Sequence, residues 1–148
     1  MKVLVSACLL GENCKYNGTN NYNNKVMEFI RGNEVTAVCP EVLGGLNVPR
    51  KPAEIVDGMI MTEDGIIVDK EFREGAALAL RQAVNGKIDM AILQSRSPSC
   101  GVNQIYDGTF SGKLIQGQGV FAEMLKTAGI KVIDVEDIQN DSLEQSLI

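Results

Sequence analysis

At 148 residues the chain is long enough for one domain, residues 1–148, that buries roughly two-thirds of its unfolded surface and needs no disulfide staples. The formal net charge of −5, with lysines and arginines scattered, offers no basic stripe for nucleic acid, and no uninterrupted apolar stretch reaches the ~20 residues of a membrane span. No leader-like segment opens the chain, so a cytoplasmic protein is expected, in which four cysteines mean free thiols, metal ligands or catalysis; the absence of histidine leaves acid-base chemistry to carboxylates, thiols and hydroxyls.

The run "KVLVSA" reads as a short buried strand. "NNKVMEFIRGN" reads as a helix with Val26, Phe29 and Ile30 on one face and Gly32 closing it. "EVTAVC", Glu34 to Cys39, is rich in β-branched residues and is stopped by Pro40, which cannot donate a ladder hydrogen bond. "DGMIMTEDGIIVD" is expected to form a hairpin turning at Asp64-Gly65. Asp69 then caps a long helix, with Phe72, Ala76, Leu80 and Val84 at helical spacing and Gly86 ending it.

"DMAILQ", Asp89 to Gln94, is the next strand. "YDGTFSGKLIQGQG" is glycine-rich without the spacing of a phosphate-binding loop, and reads as a covering loop that ends where Gln118 and Gly119 start a third helix. "IKVIDV" is the last strand, and the tail "EDIQNDSLEQSLI" is a short helix or frayed chain. Strands alternating with helices give an α/β protein: a three-layer α/β/α sandwich around a mostly parallel, Rossmann-like sheet, with a small β-hairpin insertion.

In that topology Cys8 ends the first strand, Cys39 ends the second, and Cys100 lies in the loop after "DMAILQ". All three sit at carboxyl ends of strands, the edge where open parallel sheets bind ligands. One alternative is packing, because a free cysteine behaves as a small hydrophobe. The segments "CLLG", "CPEVLGG" and "SPSCG", however, are rich in the glycine, proline and serine that shape a backbone to approach a ligand. Zinc is disfavoured by the lack of a C-x-x-C knuckle, whereas an iron-sulfur cluster accepts dispersed cysteines. With three ligands on a four-iron cluster, one iron stays open as a Lewis acid. Cys14 either supplies a fourth ligand or is incidental, and spacing leaves both open.

The stretches "SACLLGENCKYNG", "VCPEVLGGLNVPRKPAE", "FREGA" and "LQSRSPSCG…IYDGTFSGKLIQGQGVFAEML" together resemble the thiouracil desulfidase family, over nearly the whole chain. The resemblance implies a 4Fe-4S cluster held by Cys8, Cys39 and Cys100, whose free iron takes the exocyclic sulfur of a thiolated pyrimidine and gives the oxo base and sulfide. Two departures from the family pattern are Cys14, in place of an apolar residue, and Gln94, in place of a lysine. The chain lacks length for the extra domain of relatives that act on transfer RNA, so a small thiopyrimidine is the expected partner.

A thiocarbonyl sulfur is soft and suits thiolate-bound iron. Water must then be activated, and Glu41, two residues beyond Cys39, is the nearest carboxylate to act as general base. Ser97 of "SRSPSCG" is assigned as proton donor, with Ser99 left to turn formation. Arg50 and Arg96 either orient a carbonyl or ribose phosphate or are solvated. Two rival readings stand beside the enzyme: a metal- or redox-sensing module using all four cysteines, and a nucleotide-binding domain whose cysteines are merely packed.

Overall fold

The computed structural model describes residues 1–138. Strand β1 (Lys2–Ser6) leads through a 3-10 turn (Ala7–Leu10) and a loop to helix α1 (Asn24–Ile30) and strand β2 (Glu34–Val38). A short helix α2 (Pro40–Leu43) precedes an antiparallel hairpin, β3 (Ala53–Val56) with β4 (Met59–Thr62), and the long helix α3 (Asp69–Asn85). Strand β5 (Met90–Leu93), a second hairpin of β6 (Gln104–Tyr106) and β7 (Leu114–Gln116), helix α4 (Val120–Thr127), strand β8 (Lys131–Asp134) and helix α5 (Val135–Ile138) follow.

Strands β1, β2, β5 and β8 form a parallel sheet in the order β2-β1-β5-β8. The two-residue period of each strand divides its side chains between two cores. Val3, Val5, Met90, Ile92 and Ile133 pack with Val26 and Ile30 of α1 and with Val135 and Ile138 of α5. Leu4, Ala91 and Leu93 face the other way, onto Phe72, Ala76, Ala79 and Ala83 of α3 and Phe121, Ala122 and Leu125 of α4. Both faces of β1 and β5 are dry, and each fully buried aliphatic side chain there contributes about 1.5–3 kcal/mol. The three-layer α/β/α arrangement and the parallel sheet are those expected from the alternating pattern. Among the described residues no helix is long and apolar enough to cross a membrane.

The chain steps from β1 outward to β2 through α1, then back past β1 to β5 through α3. Crossovers of one hand running in opposite directions must lie on opposite faces, as α1 and α3 do. The order therefore reverses between β1 and β5, and a crevice opens outside their carboxyl ends.

Several local expectations are corrected. The ladder of β3 and β4 turns at Asp57-Gly58, where φ is 49° and 82°, the double positive φ of a two-residue hairpin loop; the expected turn at Asp64-Gly65 is present as well, with Gly65 at φ 85° and its N–H donating to Thr62 O at 3.0 Å. "AEIV" supplies the partner strand of that ladder, while the exposed "II" after Asp64-Gly65 runs back along β4 with an isolated bridge, Met61 to Ile67, flanked by bonds from Thr62 N to Ile66 O at 2.9 Å and from Val68 N to Ile60 O at 3.0 Å. Asp69 is the first residue of α3, not its cap. Its carboxylate accepts from Ile60 N at 3.0 Å and from Arg73 Nε at 2.9 Å, tying hairpin to helix.

Val84 is exposed, and Ala83 takes its place on the buried face. At about 100° per residue, eleven positions from Phe72 return to within roughly 20° of it, whereas twelve leave roughly 120°. The glycine-rich covering segment contains β7 and closes a hairpin with β6. The tail begins with α5, and residues 139–148 lie outside the described residues.

Candidate active site

Three segments reach the crevice. Cys8 lies in the turn just past β1, Cys39 follows β2 and occupies the N-cap of α2, and Cys100 lies in the loop after β5. With Cys14 they line one cleft of about 530 Å³, within the usual range for small-ligand sites. The local reasons are plain. Pro40 ends β2 and starts α2 at a position where a missing N–H costs nothing, which swings Glu41 back toward the sheet edge. The Ser6 hydroxyl accepts from Gln94 N at 3.0 Å and stitches the ends of β1 and β5 together.

All four cysteines are free. The Cys14 thiol hydrogen-bonds with both Cys39 and Cys8; the first bond lowers its pKa, and the second, with burial and nearby negative charge, pushes it up to about 11. The bond with Cys14, then burial, then the charge of Glu41 raise Cys39 well above the usual thiol range. Burial first and Glu41 second push Cys100 up to about 12, although the hydroxyls of Ser6 and Ser99 oppose this. As bare groups these thiols hold their protons at neutral pH, and only a cation would favour the thiolates. Among the described residues no group of three or more such side chains is set to hold a single metal ion.

Glu41 is 9% exposed, and its two carboxylate oxygens have different partners. Oε1 accepts from Ser99 Oγ at 2.7 Å, and Oε2 lies 3.6 Å from Cys39 Sγ. The two serines divide their work differently from the sequence expectation. Ser97 Oγ accepts from Cys100 N at 2.7 Å, the turn-forming bond expected of Ser99, and it lines the cleft as well. Ser99 is fully buried beneath it.

Arg50 lines the cleft but is spent on structure: Nη2 donates to Cys14 O at 2.9 Å and Nη1 to Asn47 O at 3.2 Å, which fastens the Cys14 loop to the loop before β3. Arg96 pairs with Glu136 at 2.6 Å. Gln94 and Tyr106 complete the walls. Sequence reasoning missed Ser6, Ser99 as a partner of Glu41, and Asn21, whose Nδ2 approaches Cys8 Sγ at 3.6 Å. A serine at the last position of the first strand was a usable signal for Ser6; nothing in the local pattern pointed to Asn21.

Against known proteins, the sequence profile of the 2-thiouracil desulfurase family matches residues 3–137. The chain is 42% identical over 151 aligned positions to the uncharacterized protein YbbK of Bacillus subtilis (strain 168), covering 95% of this chain and 99% of that one. Its fold is similar to that of the 4Fe-4S-dependent thiouracil desulfidase TudS, with a TM-score of 0.89, 38% identity and 99% of both chains covered.

Proposed function

The chain belongs to the 2-thiouracil desulfurase family, and from that membership and its cleft we propose that it is a single-domain, 4Fe-4S-dependent, non-redox desulfidase that converts a small thiolated pyrimidine to its oxo form and sulfide. The observation that carries the reading is the convergence of Cys8, Cys39 and Cys100, from three remote segments, on one cleft at the carboxyl edge of the sheet. The donor set suits the cofactor: several thiols lining one cleft, and no histidine. Those three cysteines would hold the cluster, which when bound supplies a Lewis-acidic iron matched to a soft thiocarbonyl sulfur.

The protein's own groups account for the rest. Overall, the oxygen of water bonds to the ring carbon, the carbon-sulfur bond breaks, and both protons of water end on sulfur, with no net electron transfer. Glu41, buried beside Cys39, is placed to take a proton from that water. Ser97, its hydroxyl on the cleft wall, is placed to donate to the ring or to the departing sulfur. Arg50 holds the Cys14 loop at the cleft through its bond to Cys14 O.

The test is anaerobic reconstitution followed by thiouracil, with sulfide release measured. The wild type should release sulfide. Glu41→Ala should keep the iron-sulfur absorbance and lose about 10²–10⁴-fold in turnover, the usual contribution of a general base. Undiminished turnover in that variant removes Glu41 from the mechanism. Cys14, in contact with Cys8 and Cys39, favours a second reading in which four thiols bind metal and no substrate enters. A loaded cluster that releases no sulfide would support that sensor instead.

A further inference from the structure

We propose that Ser99 is a positioning residue: its hydroxyl anchors one oxygen of the Glu41 carboxylate and so presents the other to the cleft. The rate arms of the test rest on the desulfidase reading; the structural arm does not.

Ser99 is fully buried and absent from the cleft wall, so no ligand touches it. Its hydroxyl has one proton and three neighbours in reach, Glu41 Oε1 at 2.7 Å, Ser97 Oγ at 3.3 Å and Cys100 Sγ at 3.5 Å. The shorter contact to a carboxylate oxygen takes the proton, because charge-assisted bonds are the strong ones. Ser97 Oγ, at 3.3 Å, is the longer and uncharged alternative, so its own proton stays available to the cleft. Among the described residues the Ser99 bond is the only one under 3 Å to the Glu41 carboxylate; the contact of Oε2 with Cys39 Sγ, at 3.6 Å, is weak.

An anchor must itself be held. The Ser99 carbonyl accepts from Phe121 N at 2.9 Å and from Ala122 N at 3.1 Å, two of the otherwise unpaired donors of the first turn of α4. Gly119 packs so closely that a Cβ there would lie 2.4 Å from the carbonyl carbon and oxygen of Ser99. The helix thus fixes the serine, and the serine fixes the carboxylate carried by the four-residue α2. No local sequence feature links Ser99 to Glu41, 58 positions away.

The experiment compares Ser99→Ala and Ser99→Thr in the cluster-loaded protein by crystal structure, iron content, kcat and KM. In Ser99→Ala the Glu41 carboxylate is expected to leave its wild-type position with iron content unchanged. Turnover should fall about 100-fold, as for a displacement on the order of 1 Å, with KM within about twofold. Ser99→Thr keeps the hydroxyl and should restore both position and rate. In a Glu41→Ala background, Ser99→Ala should add no further loss, since the two act as one unit. A carboxylate unmoved in Ser99→Ala, or a full rate loss persisting without Glu41, overturns the proposal. If the wild type releases no sulfide, it is the desulfidase reading that falls, and the carboxylate position alone then decides for or against Ser99.

Discussion

Replacing Gly75 by alanine tests how α2, and with it Glu41, is held. By helix propensity alone the change should stabilise: glycine in a helix interior costs roughly 0.5–1 kcal/mol relative to alanine. The packing argues the reverse. A Cβ on Gly75 would lie 1.7 Å from Pro40 O and 2.8 Å from Gly44 N, and both are backbone atoms that cannot swing aside. Reaching the 3.0 Å below which real Cβ contacts are essentially never found requires a displacement of at least the difference, 1.3 Å. Overpacking of this kind costs about 1–3 kcal/mol and exceeds the propensity gain. Helix α2 carries the cap position of Cys39 and the side chain of Glu41, so the shift is transmitted to the cleft and to the bond with Ser99. Urea unfolding of Gly75→Ala should show a lower midpoint, by up to about 1 M for a net loss of up to about 2 kcal/mol at a slope of about 2 kcal/mol/M. Turnover should fall on the order of 100-fold. Gly44→Ala, whose Cβ would meet Glu71 O at 1.9 Å, should behave alike. A Gly75→Ala protein with a midpoint at or above wild type and undiminished sulfide release would refute this close backbone contact and its role in placing the site.

Changing Cys8, Cys39 or Cys100 singly to alanine should abolish the brown chromophore of reconstituted protein, whereas Cys14→Ala should keep both chromophore and activity; cluster loss in the latter would mean four protein ligands. Asp134 is buried, and that burial, outweighing the bond from Glu136 N and joined by the charges of Glu136 and Asp137, raises its pKa. A carboxyl raised on folding favours the folded state below its unfolded pKa of about 3.9, and that advantage is lost as pH rises through the folded value, leaving a buried charge at pH 7. Asp134→Asn, which keeps the Oδ1 acceptor for Glu136 N, should therefore raise the urea midpoint at pH 7 and lose that gain near pH 3. An equal difference at both pH values would show that burial of the charge is not the cause.

Local patterns in the chain determined the alternation of strands and helices, and with it the parallel sheet. Parallel strands end on one edge, so the placement of Cys8, Cys39 and Cys100 just past three of them already put the thiols on a common rim. The position of Glu41 two residues after Cys39 was legible for the same reason. Tertiary structure decided the rest. That Asp57-Gly58 turns a hairpin as well as Asp64-Gly65 depended on a partner strand, "AEIV", only four residues long. The division of labour between Ser97 and Ser99 follows from how their loop wraps the start of α4. Cys14 joins the cleft because Arg50, 36 residues away, holds its loop there. Periodicity and turn chemistry are properties of neighbours along the chain, whereas these contacts join segments that become neighbours only when the two cores close on the sheet.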